Sequence, residues 1–292
     1  RKVLNKIKII SGQREVATFQ GSGSLAIEMM FTNFLYGNIM VISTGYYSDR
    51  LLTISRKIKK SLNPRIKKIE NISYKQIKNF KGKFDWVIAC PTETSIGLLL
   101  PIKQISKFAK SLKAKLMLDA TGSIGLEKDH KLADVISFSS CKGLFGLTGA
   151  SFVVFNKKPQ NEIDSFYLNL FNHLNKKMTG PYHTIYSLNK ILKNYNDYLY
   201  AVKINKNIFL KKMDSFLSYS KKNQPLLCTF VNTVGFTKKP LSRPSGLPMP
   251  PHASSAPSSI PSWIKVWTFS YWVLFEIGPR NISSFCGSPV DI

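Results

Sequence analysis

KLMLDATGSIGLEKDHKLADVISFSSCKGLFGLTGASFVVFN, residues 115–156, is the stretch that decides the fold. Its apolar runs at 115–120, 134–140 and 151–156 are bounded by glycines and small polar residues, which predicts three strands. The runs are nearly continuous in apolar residues, the pattern of strands covered on both faces. Working outward, FDWVIAC at 84–90 and NIMVIST at 38–44 read the same way. Helix-like segments at 22–36, 48–61 and 101–113 lie between them, and Pro101 suits a first helical turn. Strands alternating with helices predict an α/β fold of three layers, a mainly parallel sheet flanked by helices. Ligands in such folds sit beyond the carboxyl ends of the strands. A long helix over 184–219 should lead away from this layer. We find no internal repeat.

The 292 residues are 43% hydrophobic and 20% charged, enough for a large core, which excludes a disordered chain or a miniprotein scaffold. No stretch reaches the roughly 20 uncharged apolar residues of a membrane span. The best candidate, 263–277, carries Lys265 and Glu276. The cysteines (Cys90, Cys141, Cys228, Cys286) show neither metal-ligand spacing nor disulfide-scaffold density, so we expect a reducing, cytoplasmic setting and no metal site. The 42 basic residues against 16 acidic give a net charge of +26. Lysines outnumber arginines 35 to 7 and are scattered through predicted helices. Arginine is the side chain that forks onto phosphates and guanines, so its scarcity favours a solvated surface over a nucleic-acid footprint. A positive field also suits an anionic small substrate.

Composition breaks near residue 240: 39 of the 42 basic residues precede it, while 8 of the 15 prolines follow it. LSRPSGLPMPPHASSAPSSIPS, 241–262, reads as a Pro/Ser-rich linker that builds no core. The aromatic stretch after it could be a hydrophobic cap or interface strand, or a tail other than the native C-terminus; we favour the tail. The chain opens on Arg1 with no signal segment, and we expect it to begin inside a longer protein. The expected divisions are a large domain over 1–183, a helix and the start of a small domain over 184–240, and a divergent tail over 241–292.

Three features point to chemistry. Gly21-Ser22-Gly23-Ser24 precedes a helical segment, and small residues with free N–H groups at a helix start favour a phosphate. Gly21, Gly23 and Ala26 fit a loose dinucleotide pattern, but no clean strand is visible before them and no acidic residue ends a second strand about 20 residues on. A helix cap without a ligand is the plain alternative. Asp119 ends the run KLMLDA, so its carboxylate projects toward the ligand edge, or else it caps a loop. Lys142 ends the next run among glycines and small residues, where an amine with depressed pKa could form a Schiff base; a snorkelling lysine is the plain alternative. Together, an anion cup, a strand-end acid and a strand-end lysine match what pyridoxal 5′-phosphate requires: a seat for its phosphate, a carboxylate for its ring nitrogen and an amine for its aldehyde. Cys141 is expected as a packed small side chain. His130, in the charged connection EKDHKLAD, should be exposed, and His183 should pack rather than line the site.

FQGSGSLAIE (19–28), STGYYSDR (43–50), CPTETSIGLLLPI (90–102), LMLDATGSIG (116–125), SFSSCKGLFGLTGASFV (137–153) and TGPYHTIYSL (179–188) occur in an order and spacing that resemble the class V aminotransferases. These are pyridoxal-phosphate enzymes of fold type I. The likeness spans about residues 18–238, and within the family it is greatest to the branch that moves an amino group from 2-aminoethylphosphonate to pyruvate. The resemblance implies a large domain of that fold with an incomplete small C-terminal domain, and amine and 2-oxo acid substrates. It also implies that Ser22, Gly23 and Ser24 bind the cofactor phosphate and that Tyr47 lies against its ring. Thr94 would sit near the ring hydroxyl, Asp119 would pair with the pyridine nitrogen, and Lys142 would hold the cofactor covalently. Thr179 would reach the phosphate from a partner subunit, which implies a homodimer with shared sites. The family's substrate-binding arginine has no counterpart that can be assigned here, neither Arg243 nor Arg280. A class V enzyme of the alanine- or serine-glyoxylate type, and an inactive cofactor-binding fragment, stay open beside the leading expectation.

Overall fold

The computed structural model describes residues 2–78, 80–159, 163–175, 177–232, 263–269 and 272–277. The expected linker at 241–262 lies outside them. Helix α1 (Lys2–Ser11) leads into strand β1 (Glu15–Gln20), then α2 (Gly23–Phe34), β2 (Gly37–Ser43), α3 (Tyr46–Ser61) and β3 (Ile66–Ser73). Strand β4 (Trp86–Ala89) follows, then a short hairpin of β5 (Thr92–Glu93) and β6 (Leu98–Leu99), α4 (Ile102–Ser111), β7 (Lys115–Asp119), β8 (Val135–Ser139) and β9 (Ala150–Phe155). Helices α5 (Leu170–Leu174), α6 (Tyr182–Lys193) and α7 (Tyr195–Lys212) precede β10 (Cys228–Asn232), β11 (Trp263–Phe269) and β12 (Trp272–Ile277).

Seven strands form the central sheet in the order β1-β9-β8-β7-β4-β2-β3. The β2/β3, β2/β4, β4/β7 and β7/β8 pairs are parallel, while β9 runs antiparallel to both β8 and β1. Alternate residues of each strand therefore feed two cores. Val87, Ala89, Leu116 and Leu118 pack on one face against Val3 and Ile7 of α1, Ile105 and Phe108 of α4, and Leu188 and Leu192 of α6. Ile88, Met117, Val135 and Val153 pack on the other face against Ile27, Met30 and Phe31 of α2 and Leu51 and Ile58 of α3. This is the three-layer α/β architecture expected from the continuous apolar runs. A separate antiparallel sheet joins β10, β11 and β12 in that order.

Two local expectations are corrected, and one strand is added to those expected. A strand does precede the glycines: β1 buries Ala17 and Phe19, while Glu15, Thr18 and Gln20 interrupt the apolar pattern that would have announced it. Strand β3 is hidden in sequence because it is a sheet edge carrying Lys67, Lys68 and Glu70, the charges that edges use to discourage further pairing. The helix expected over 184–219 is two helices, broken at Asn194 (φ −108°, ψ 23°) and ended at Lys212. Asparagine competes for its own backbone and is a poor helix interior.

Candidate active site

The strands that run in one direction end along one edge of the sheet, and each delivers a short segment there. Gly21–Ser24 follow β1, Tyr47 lies just past β2 at the start of α3, Glu93 and Thr94 follow β4, Asp119 is the last residue of β7, and Lys142 comes three residues after β8. Strands β7 and β8 are neighbours, with Asp119 opposite Ser137. The expected site residues other than Thr179 are thus gathered from five strands onto the edge where α/β proteins hold ligands.

Asp119 is 2% exposed. Its Oδ1 accepts hydrogen bonds from the backbone N–H (3.1 Å) and the hydroxyl (2.7 Å) of Thr121, whereas Oδ2 has no hydrogen-bond partner among the described residues. Lys142 is half-buried, with Nζ 4.8 Å from the centre of the Tyr47 ring, and the Arg50 guanidinium lies 5.0 Å from that same ring. Cys90, buried at the end of β4, shows how close these charges are. Burial pushes its thiol up, Asp119 and Glu93 push it further, and Lys142 and Arg50 pull it down. One thiol senses both acids and both cations.

Helix α2 starts beside Asp119. A Cβ on Gly23 would stand 3.2 Å from Oγ1 of Thr121 and 3.6 Å from the Ser139 side chain. Ser22 is exposed at the N-cap and makes no side-chain cap, so the first-turn N–H groups are left for another acceptor. Thr94 is 2% exposed, and its methyl lies 3.3 Å from where a Cβ on Gly122 would be. Ser24 is half-buried in the first turn of α2. Thr179 is exposed in the link before α6, and no contact among the described residues ties it to Asp119 or Lys142.

Glu93 is the residue that the sequence reading missed. It is fully buried and accepts from the N–H groups of Ser48 (3.0 Å), Tyr47 (3.3 Å) and Ser95 (3.3 Å). An anion at the start of α3 satisfies N–H groups that have no partner within the helix and matches the helix dipole, and it fixes the Tyr47 backbone. A glutamate inside the apolar segment CPTETSIG was the available signal. Both histidine expectations reverse. His130 is 3% exposed, bonded to the Ser123 hydroxyl (3.0 Å), and burial lowers its pKa to about 4. His183 is exposed.

A helix start with open N–H groups, a buried strand-end carboxylate whose Oδ2 has no hydrogen-bond partner among the described residues, and an amine over an aromatic ring are features suited to an α/β protein that holds a phosphorylated aromatic aldehyde. The residues fit pyridoxal 5′-phosphate, since a side chain on Gly23 would crowd Thr121 and Ser139 and the acid and amine come at and just past the ends of neighbouring strands. The sequence profile of the family described as Aminotransferase class-V matches residues 11–171, and the chain belongs to that family. Among similar proteins, 2-aminoethylphosphonate–pyruvate transaminase of Klebsiella pneumoniae is 24% identical over 195 residues, which are 60% of this chain and 53% of that protein. The enzyme of the same name from Rhizobium meliloti is 27% identical over 162 residues, 50% of this chain and 41% of its own. The chain spans about half the length of the curated relatives it matches. Among solved structures, alanine–glyoxylate aminotransferase from Nostoc sp. superposes with a TM-score of 0.64 at 16% identity, covering 84% of this chain and 72% of its own. Phosphoserine aminotransferase from Cytophaga hutchinsonii gives 0.66 at 16% identity, over 79% of this chain and 73% of its own. These likenesses agree with the α/β fold described above. No helix among the described residues is long and apolar enough to cross a membrane, and no cluster of three or more His, Cys, Asp or Glu among them could hold a metal ion.

Proposed function

We propose that the chain is the cofactor-binding part of a pyridoxal-phosphate aminotransferase that moves the amino group of 2-aminoethylphosphonate to pyruvate. Nitrogen passes to the second carbon of pyruvate to give alanine, the pyruvate carbonyl oxygen leaves as water, and a water oxygen becomes the aldehyde oxygen of phosphonoacetaldehyde. What carries the proposal is the placement of Asp119 at the end of β7 and of Lys142 three residues past the neighbouring strand β8, with Tyr47 beside the amine. The names of the similar curated proteins support the choice of donor, and the net charge of +26 suits a phosphonate.

Pyridoxal phosphate, when bound, supplies an electron sink for a carbon that loses its proton. Asp119, through the oxygen that Thr121 leaves open, would hold a proton at the pyridine nitrogen. Nζ of Lys142 would carry the covalent attachment and, once exchanged for the substrate amine, move a proton at the carbon beside that amine. The N–H groups of Ser22, Gly23 and Ser24 and the hydroxyls of the two serines would receive the phosphate, since a helix start favours an anion. Tyr47 would cover one ring face, and Thr94 would face the ring hydroxyl. Thr179, exposed on this chain, would complete the site of a second copy in a homodimer.

The test is absorbance with added pyridoxal phosphate, then an amine panel with pyruvate. Wild type should show an imine band that Lys142→Ala abolishes. Asp119→Asn should keep the band and lose most of the amine-dependent bleaching. A band that survives in Lys142→Ala overturns the assignment of the lysine. Alanine formed from another amine, with no phosphonoacetaldehyde from 2-aminoethylphosphonate, replaces the donor and leaves the reaction class standing.

A further inference from the structure

The break that divides the expected long helix has a geometric consequence at the lysine. Tyr195, the first residue of α7, is 6% exposed, and its hydroxyl donates to the carbonyl of Gly143 at 2.9 Å. Gly143 follows Lys142 directly. The N–H of that same glycine donates to the carbonyl of Thr121 at 3.4 Å, and Thr121 in turn holds Asp119. One hydrogen-bonded chain therefore runs from Asp119 through Thr121 and Gly143 to Tyr195.

Packing follows the same line. A Cβ on Gly143 would stand 2.2 Å from the carbonyl oxygen of Ile124, so the lysine loop lies directly against the loop that leaves Asp119. Gly125, left-handed at φ +72°, makes room for the Tyr195 hydroxyl, which would stand 2.0 Å from any Cβ there. Three residues past Lys142, Phe145 is held at φ +57°, a conformation that persists in a non-glycine residue only when its surroundings impose it. The rings of Tyr195 (5.7 Å) and Tyr198 (6.2 Å) contain it. A continuous helix through Asn194 would direct these two tyrosines elsewhere.

We infer that Tyr195 is a positioning residue: its hydroxyl, clasping the Gly143 carbonyl, locks the lysine loop against the aspartate loop and so sets where the Lys142 amine stands relative to Asp119. Burial raises the phenol's pKa, so it stays a donor across the working pH range. The inference deepens the proposed function and rests on Lys142 being the attachment point.

The test uses the full chain and pyridoxal phosphate as probe, trapping with borohydride and locating the label by peptide mass. Wild type should be labelled at Lys142. Tyr195→Phe keeps the ring and removes the hydroxyl. Its labelling rate should fall about ten- to a hundredfold, the scale on which small displacements of reacting groups act. The pH midpoint of the imine band should shift as well. Leu192→Ala, a buried apolar truncation one turn earlier, serves as the stability control: it should lower the melting temperature at least as much yet label at close to the wild-type rate. Should Tyr195→Phe fold poorly, Tyr198→Leu, which loosens Phe145 instead, is expected to slow labelling in the same direction. Equal slowing in Tyr195→Phe and the control, or no slowing in a folded Tyr195→Phe, overturns the positioning role while Lys142 remains the attachment point. Wild type unlabelled at Lys142 overturns both.

Discussion

Removing the Glu93 carboxylate should unsettle the start of α3 and, through it, Tyr47. In Glu93→Ala the Ser48 N–H is left buried without an acceptor, which costs about 1–3 kcal/mol. The Tyr47 and Ser95 N–H groups are only partly buried and can be rehydrated, so each costs about 0.5–1 kcal/mol. Loss of the anion from the helix start adds about 0.3–1 kcal/mol. The total lies near 4 kcal/mol, which for a protein of this size lowers the melting temperature by about 8–16 °C. Glu93→Gln keeps the volume and one acceptor oxygen and should cost about half as much. Urea and thermal melts of the cofactor-free protein measure both variants. A Glu93→Ala protein within about 1 kcal/mol of wild type, or a glutamine variant as damaged as the alanine one, refutes the reasoning.

Gly23→Ala should separate stability from binding. At the first position of α2 the alanine methyl meets Thr121 Oγ1 at 3.2 Å, so the melting temperature should change little, while the methyl beside Thr121 and Ser139 should weaken pyridoxal-phosphate binding in a fluorescence titration; unchanged affinity would remove the anion cup from α2. His130 gives a pH test. Its pKa lies at about 4 in the fold against an ordinary 6.5, so the unfolded chain takes up the proton first. Stability should therefore fall as pH drops from 6.5 toward 4, by about 3 kcal/mol from this group. His130→Gln should flatten that slope in urea melts, and parallel wild-type and variant curves across the window would count against it.

The fold and most of the candidate site were legible because strand-end chemistry is encoded locally. Asp119 and Lys142 each follow an apolar run and are flanked by small residues, so the sequence shows both that a strand ends and what it presents. Glu93 was not legible in this way. Its partners, Ser48 and Tyr47, lie 45 and 46 residues away, and only the sheet order, which puts β4 beside β2, brings them together. Tyr195 was lost for a different reason: the helical pattern runs through Asn194, and a single asparagine, although a poor helix interior, does not by itself announce a break. His130 misled because charged neighbours suggest exposure. Its ring turns inward to Ser123 while Lys131 and Asp129 supply the charge of the connection.

Two carboxylates are buried at the same sheet edge, and their hydrogen bonds assign them different work. An ionised carboxylate offers about four acceptor sites. On Glu93, Oε1 takes the Tyr47 and Ser95 N–H groups and the Ser95 hydroxyl, and Oε2 takes the Ser48 N–H and the Thr44 hydroxyl. Both oxygens are spent on holding α3, and a ligand could claim Glu93 only by unpicking that helix start. On Asp119, Thr121 takes one oxygen twice and fixes the plane of the group, and the second oxygen keeps its acceptor capacity. Burial makes that remaining capacity valuable, because in a low-dielectric site a single proton donor meeting Oδ2 gains far more than it would in water. A buried acid with both oxygens committed anchors structure, and a buried acid with one oxygen committed can hold a proton on a ligand. For that reason the proposed pairing with a ring nitrogen falls to Asp119 and not to its more deeply buried neighbour.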